Sequence, residues 1–230
     1  MPATLTLQPT GQVLTVPTSW YDVTLATFVA LFAPEPDDER RPAELLLGLA
    51  AGALDPLAAD DVAYIGNLLA FAEQPGDVYA LHPTVGLPEV GSMSYGTLAL
   101  ATQHIQAANA TYQEQLAEAG VTDPQAEAQC PWLRYAAYLL AIYRVEMTYG
   151  KYDHKRVQAA EAALLAAPVT ETLPDAQYFF LGYTKYTSAT HLTPRTSPSP
   201  AMTKSKLGQK PSPKISGRLL AWMRRLRATS

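Results

Sequence analysis

Hydrophobic positions are densest in Pro131–Gly150, PWLRYAAYLLAIYRVEMTYG. Here Trp132, Leu133, Tyr135, Tyr138, Leu139, Leu140, Ile142, Tyr143, Val145, Met147 and Tyr149 fall on every side of the helix that the stretch predicts. A helix that is apolar nearly all round is normally central, with other helices packed about it. Pro131 suits a first helical position and Gly150 a C-terminal stop. Arg134, Arg144 and Glu146 argue against the competing reading of a membrane span, because an ionised group in hydrocarbon is expensive.

Shorter patterns flank this stretch. Residues 1–17 alternate, with Leu5 and Leu7, a Gln8-Pro9-Thr10-Gly11 turn, then Val13 and Val16, and so predict a β-hairpin. From residue 18 to 187 the periodicity is helical. Asp22 or Thr24 is placed to cap a helix carrying Leu25, Phe28, Val29, Leu31 and Phe32. APEPDDERRP, residues 33–42, reads as a charged loop. Pro42 opens a helix over Leu45, Leu46, Leu47 and Leu49, with Gly52 as its stop. Another helix runs from about Leu57 through Val62, Ile65, Leu68, Leu69 and Phe71, with Asp60 and Asp61 in its first turn, where the helix dipole favours acids. Residues 75–93 are rich in Gly and Pro and read as loop, with at most a short strand pair. Ser94 caps a long helix, Tyr95 to Ala119, which Gly120 closes. Asp153 caps residues 154–167, Pro168 ends that helix, and Pro174 starts the last one, with Tyr178, Phe179, Phe180, Leu181, Tyr183 and Tyr186. The expected fold is therefore mainly α: a bundle of six or seven helices around 132–149, a small N-terminal hairpin and a disordered basic tail. No internal repeat of solenoid period is seen.

Composition changes at Ser188. Residues 188–214 are dominated by Pro, Ser, Thr and Lys, and a segment so poor in large apolar groups cannot offset its ordering entropy. Residues 215–230, ISGRLLAWMRRLRATS, form a basic amphipathic segment in which Ile215, Leu219, Leu220, Trp222, Met223 and Leu226 recur at helical spacing. Charge divides at the same place. Residues 1–189 hold 8 Lys and Arg against 21 Asp and Glu, a balance of −13, whereas residues 190–230 hold 9 Lys and Arg and no acid. An acidic body repels nucleic acid, while a basic tail attracts any polyanion, this body included. Cys130 is the single cysteine, which excludes an internal disulfide framework and fits a reducing compartment. The opening MPATLTLQPTGQ has neither a basic region nor a long apolar run, so no signal peptide is expected, and export by a route without one stays open.

No catalytic constellation rises above background. His82, His104, His154 and His191 are scattered, and none has a His, Cys or carboxylate at a ligand-pair spacing, so neither a metal nor a cofactor is expected. Cys130 precedes a helix N-terminus, where the dipole lowers a thiol pKa, but a buried small residue accounts for it more simply. A Gly-x-Ser-x-Gly elbow and a phosphate-binding Gly-Lys-Ser/Thr loop are both absent. Asp37-Asp38-Glu39 beside Arg40-Arg41 reads as a solvated charge run, and Asp60-Asp61 as a helix start. The 13 tyrosines suit core edges or interfaces, since each buries area while keeping a polar tip.

The tail carries the clearest functional signal. Lys214, Arg218, Leu219, Trp222, Arg224, Arg225 and Arg227 are the expected partner-binding residues, with Trp222 as the anchor in a protein or membrane mode and the arginines as phosphate contacts in a nucleic-acid mode. Folding back on the acidic body is the alternative. The stretch Val16-Pro17-Thr18-Ser19-Trp20-Tyr21-Asp22-Val23-Thr24-Leu25 with Phe28, and the later Leu173-Pro174 with Phe179-Phe180, resemble small helical proteins of tailed-phage and prophage structural gene clusters. The resemblance implies a part in tail or virion assembly and transfers no catalytic residue. A hinge-and-cap role in the fold accounts for Trp20, Asp22 and Thr24 equally well. The expected function is a non-enzymatic assembly or adaptor protein working through other phage or assembly proteins, with no small-molecule substrate. The alternative is a polyanion binder that uses the tail on nucleic acid or an anionic membrane.

Overall fold

The computed structural model describes residues 2–6, 11, 13–84, 86–120 and 131–190. It is mainly helical, with a two-stranded N-terminal hairpin, as the patterning predicts. Strands β1 (Ala3–Thr6) and β2 (Val13–Val16) pair antiparallel with Ala3 opposite Val16 and Thr6 opposite Val13. Side chains alternate across a strand, so Val13 and Val16 cannot share a face. Leu14 and Val16 are buried and Val13 points outward. Leu14, not Val13, is thus the inward partner of Val16.

The helices are α1 (Leu25–Phe32), α2 (Pro42–Leu46), α3 (Ala59–Leu68), α4 (Gly76–Tyr79), α5 (Tyr95–Glu118), α6 (Leu133–Tyr149), α7 (His154–Ala166) and α8 (Val169–Thr190). Helix α6 is the centre. Eleven of its 17 residues are buried, and it packs against α7, α8, α5 and α1. Its assigned start is Leu133, two residues past Pro131, and Gly150 closes it in the left-handed conformation at φ 70°. No helix of the described residues is long and apolar enough to cross a membrane.

The caps follow from local chemistry. Thr24, Ser94 and Asp153 each accept a hydrogen bond from the backbone N–H three residues on, at the starts of α1, α5 and α7. Asp22 instead ties its own approach, accepting from the Thr18 N–H at 3.1 Å and from the hydroxyls of Thr18 and Ser19 at 3.2 Å. Burial pushes its carboxyl up, but these donors outweigh that and hold it below the ordinary carboxylate value.

Four places differ from the sequence reading. Helix α3 spans Ala59–Leu68, where Leu57 to Phe71 was expected, and a 3-10 turn at Ala70–Glu73 follows it. Helix α2 stops at Leu46, well before Gly52. Gly48 takes φ 65°, its N–H bonds the Leu45 carbonyl, and the Leu49 N–H reaches back to the Glu44 carbonyl at 2.7 Å. That pair of bonds is a Schellman ending, which satisfies the last carbonyls and lets Leu49 turn away. Residues 75–93 hold a single helical turn, α4, and a 3-10 turn at Val90–Ser92, with no strand among the described residues. Pro174 does not start the last helix, because α8 begins five residues earlier, at Val169. The Val169 N–H, an orphan donor at a helix start, bonds the Val23 carbonyl at 2.8 Å, and the Leu25 N–H bonds the Ala167 carbonyl at 3.0 Å. The starts of α1 and α8 therefore satisfy each other. Pro174 is the sixth residue of α8, past the first turn, and has no N–H to give the Thr170 carbonyl.

Trp20 locks the N-terminal half. Its ring meets Phe28 and Phe71 edge-on at 5.2 and 5.1 Å between centroids, and its indole N–H donates to the Gln74 carbonyl at 3.2 Å. Glu44, fully buried, accepts from the Arg41 N–H at 2.8 Å and from the Arg41 guanidinium at 2.5 Å. Burial raises the Glu44 carboxyl, but the Arg41 hydrogen bonds win and leave it below the ordinary value.

Two outcomes follow from this packing. Leu140→Ala, at a fully buried site on α6, is expected to cost about 2–5 kcal/mol in the denaturant midpoint. Glu44 has a folded pKa below its unfolded one, so its contribution is present above the unfolded value of about 4.3 and is lost as pH falls through the folded value. Glu44→Gln is therefore expected to flatten the pH dependence of stability below about pH 4.5, read by denaturation at stepped pH.

Candidate docking surface

The Gly/Pro-rich segment 75–93 buries Val78, Val90 and Met93 in the core, and polar contacts hold the stretches around them. Three such straps come from the central helices. Asp175 of α8 is buried and accepts from the Thr84 N–H at 2.7 Å, the Thr84 hydroxyl at 3.1 Å and the Arg144 guanidinium of α6 at 2.9 Å. The Tyr143 hydroxyl donates to the Pro88 carbonyl. Burial first, then the nearby Tyr178 and Asp175, push that phenol up to about 12, so it remains a donor across the physiological range. At the end of the segment the Ser94 N–H donates to Glu146 Oε1 at 2.6 Å, while Glu146 Oε2 is buried with no hydrogen-bond partner among the described residues. Each strap satisfies a backbone group that would otherwise be costly to bury.

The straps lay the Val90–Ser92 turn against α8. Gly182 makes the approach possible, since a Cβ there would meet Val90 Cγ2 at 2.8 Å. Gly91 lies under the ring of Tyr186, where a Cβ would sit 3.7 Å away. Beside this contact an open groove of about 470 Å³ runs between the turn and α8, walled by Glu89, Val90, Tyr178, Leu181, Lys185 and Tyr186. Leu181 is 46 % exposed, unusual for a leucine on a packed helix, and stands at this groove. A smaller hollow of about 240 Å³ lies between Trp20, Tyr21, Phe71, Asp77 and Leu81.

The remaining charges serve the fold. Arg134 on α6 reaches the C-terminal end of α1, donating to the carbonyls of Ala33 and Pro34, to Glu35 and to Gln115, with its guanidinium 4.5 Å from the centre of the Tyr112 ring. Cations at a helix C-terminus complement its dipole. Asp38 takes two hydrogen bonds from the Arg40 side chain, at 2.7 and 2.9 Å, which makes the charged loop self-paired. Asp60 and Asp61 sit in the first turn of α3, as expected.

The three described histidines do not converge on a site. His104 stacks on Tyr138 at 3.6 Å, and burial pushes its imidazole below the ordinary value. His154 contacts the Tyr152 hydroxyl at 3.2 Å, and His82 is exposed. Among the described residues no three His, Cys, Asp or Glu side chains are grouped to hold a metal. Cys130, His191 and the expected partner-binding set Lys214, Arg218, Leu219, Trp222, Arg224, Arg225 and Arg227 lie outside the described residues. The sequence reading missed the groove and the straps. Its only available signal was the charge of Arg144, Glu146 and Asp175 inside apolar stretches, since a charge in such a place needs a partner.

No family model matches this chain, and no curated protein or solved structure matches it.

Removing the Asp175 carboxylate orphans the Thr84 N–H and leaves Arg144 unpaired. Asp175→Ala is expected to free the strap, accelerating hydrogen exchange at Thr84 by roughly tenfold or more while the α6 core amides keep their protection.

Proposed function

We propose that this chain is a non-enzymatic assembly or adaptor protein of a phage or prophage tail, acting through protein–protein contacts. The observation that carries the reading is how the body uses its buried charges. Glu44, Glu146, Asp175 and Arg134 each bind backbone groups of neighbouring segments, so they stiffen loops and are not gathered about a reacting centre. Such a body is a platform. One of its open hollows, the groove along α8, is walled by Val90, Leu181 and two tyrosines with Glu89 and Lys185 beside them, a mix that suits a protein-contact surface. The resemblance to tailed-phage and prophage structural proteins supports the same reading. Its residues do fold work here: Trp20 anchors the aromatic cluster, Thr24 caps α1, and Phe179 stacks near Tyr143 with ring centroids 5.0 Å apart. In this proposal the basic segment 215–230 is a docking arm, with Trp222 as anchor and Lys214, Arg218, Arg224, Arg225 and Arg227 around it, and the protein works in the host cytoplasm or the virion.

The second reading, a polyanion binder, is favoured by the 9 basic residues and absent acids of residues 190–230. The two readings separate in a nuclease-treated capture from native lysate, comparing the full chain with Trp222→Ala and with a triple Arg224/Arg225/Arg227→Ala variant. Specific retention of tail structural proteins, reduced at least tenfold by Trp222→Ala and only weakly salt-dependent, supports the adaptor. Retention that nuclease abolishes, or that falls steeply with salt and depends on the arginines alone, replaces it with the polyanion binder.

A further inference from the structure

We infer that the groove between the Val90–Ser92 turn and α8 is the intramolecular seat of this chain's own basic segment 215–227, with Trp222 lodged against Tyr178 and Leu181. Three observations converge on this occupant. First, the groove's own wall leads to the tail. Helix α8 carries Leu181 and Tyr186 and runs on to Thr190, where the tail leaves. Returning from Thr190 to Leu181 covers nine residues of helix, about 14 Å at 1.5 Å per residue. The 24 residues from 191 to 214 have a contour of up to about 80 Å, so segment 215–227 is within reach of the groove. The tether raises its effective concentration there above that of a free partner.

Second, the shapes of the two patterns agree. Ile215, Leu219, Trp222 and Leu226 form one stripe at helical spacing. The groove offers Val90, Leu181 and the ring of Tyr178, and an aromatic ring is a good partner for an indole. Third, the charges agree at long range. The body carries −13 and residues 190–230 carry +9. Within the groove Glu89 and Lys185 offset each other, so the local recognition is apolar and the long-range attraction only gathers the tail onto the body. The inference goes beyond the adaptor reading, because it concerns the isolated chain and holds whoever the partner is. It makes the arm self-stored: a partner that takes Trp222 must displace it from the groove, and the groove then becomes a second free surface.

Cysteine pairing tests this in the full chain. In a Cys130→Ser background, Met223→Cys is combined in turn with Leu181→Cys, Tyr21→Cys and Tyr64→Cys, all three being exposed positions in the wild-type chain. Disulfide formation under dilute diamide is followed by mass. The inference expects the 181–223 pair to close at least tenfold faster than the 21–223 and 64–223 pairs, as a monomer, with the advantage kept at about 0.5 M salt and removed by Trp222→Ala. A Lys185→Cys with Leu219→Cys pair repeats the measurement should Leu181→Cys disturb the fold. Equal rates at the three positions, faster closure at Tyr21, or an advantage lost in salt would overturn the groove assignment. A cross-linked dimer would overturn it in favour of exchange between copies. None of these outcomes bears on whether the arm binds tail proteins, which the lysate capture reads separately.

Discussion

A helix without a water-facing side constrains everything around it. Helix α6 presents Leu133, Tyr135, Leu139, Leu140, Ile142, Tyr143 and Val145 around its circumference, all of them buried. Each such side chain contributes about 1.5–3 kcal/mol when it leaves water. The helix is therefore stable only when α7, α8, α5 and α1 enclose it together. Exposure returns toward its C-terminal end, where Arg144, Met147, Thr148 and Tyr149 face out. The bundle is thus organised from the centre outward, and α5 and α7 are less apolar than α6 because each closes only one side.

Enclosure by helices leaves gaps where loops must cross, and the chain fills them with paired polar groups. Asp175 joins α8, α6 and the 75–93 segment through one carboxylate. Arg134 does the same for α6, α5 and the end of α1 through one guanidinium. Buried charges of this kind add little net stability, because desolvation offsets most of the attraction, but they penalise any arrangement that leaves them unpaired. Their effect is to fix where the loops lie. The groove along α8 exists because the 88–94 turn is held in one place, close enough that Val90 touches Gly182.

The parts of the fold legible in the sequence were those set by local rules. The all-round apolar run marked α6, Ser94 and Gly120 bracketed α5, and Asp153 capped α7. The misread places were decided by contacts distant in sequence. Pro174 looked like a helix start because the Val23 carbonyl that anchors Val169 lies some 146 residues away. Gly52 looked like a stop because a Schellman ending at Gly48 needs backbone geometry that composition does not show. Val13 was grouped with Val16 although strand parity separates them, an error that the two-residue period corrects without a structure. The groove was illegible for the same reason as the straps: it is defined by Gly182 meeting Val90 and by Thr84 meeting Asp175, and neither pair shares a local pattern.

The reciprocal bonds between residues 23–25 and 167–169 carry a consequence for synthesis. Helix α1 is made early, yet the carbonyl that receives the Leu25 N–H belongs to Ala167. Closing a chain loop of that length costs about 4 kcal/mol beyond the constant for a short one. During synthesis Trp20 and Tyr79 can cover Phe28 early, but the α1 surface that packs on α6, α7 and α8 stays open until those helices have been made. At a typical elongation rate of about 5–20 residues per second this interval lasts roughly ten to thirty seconds. The interval closes when Val169 emerges, because its N–H is the group that ties the start of α8 to the Val23 carbonyl.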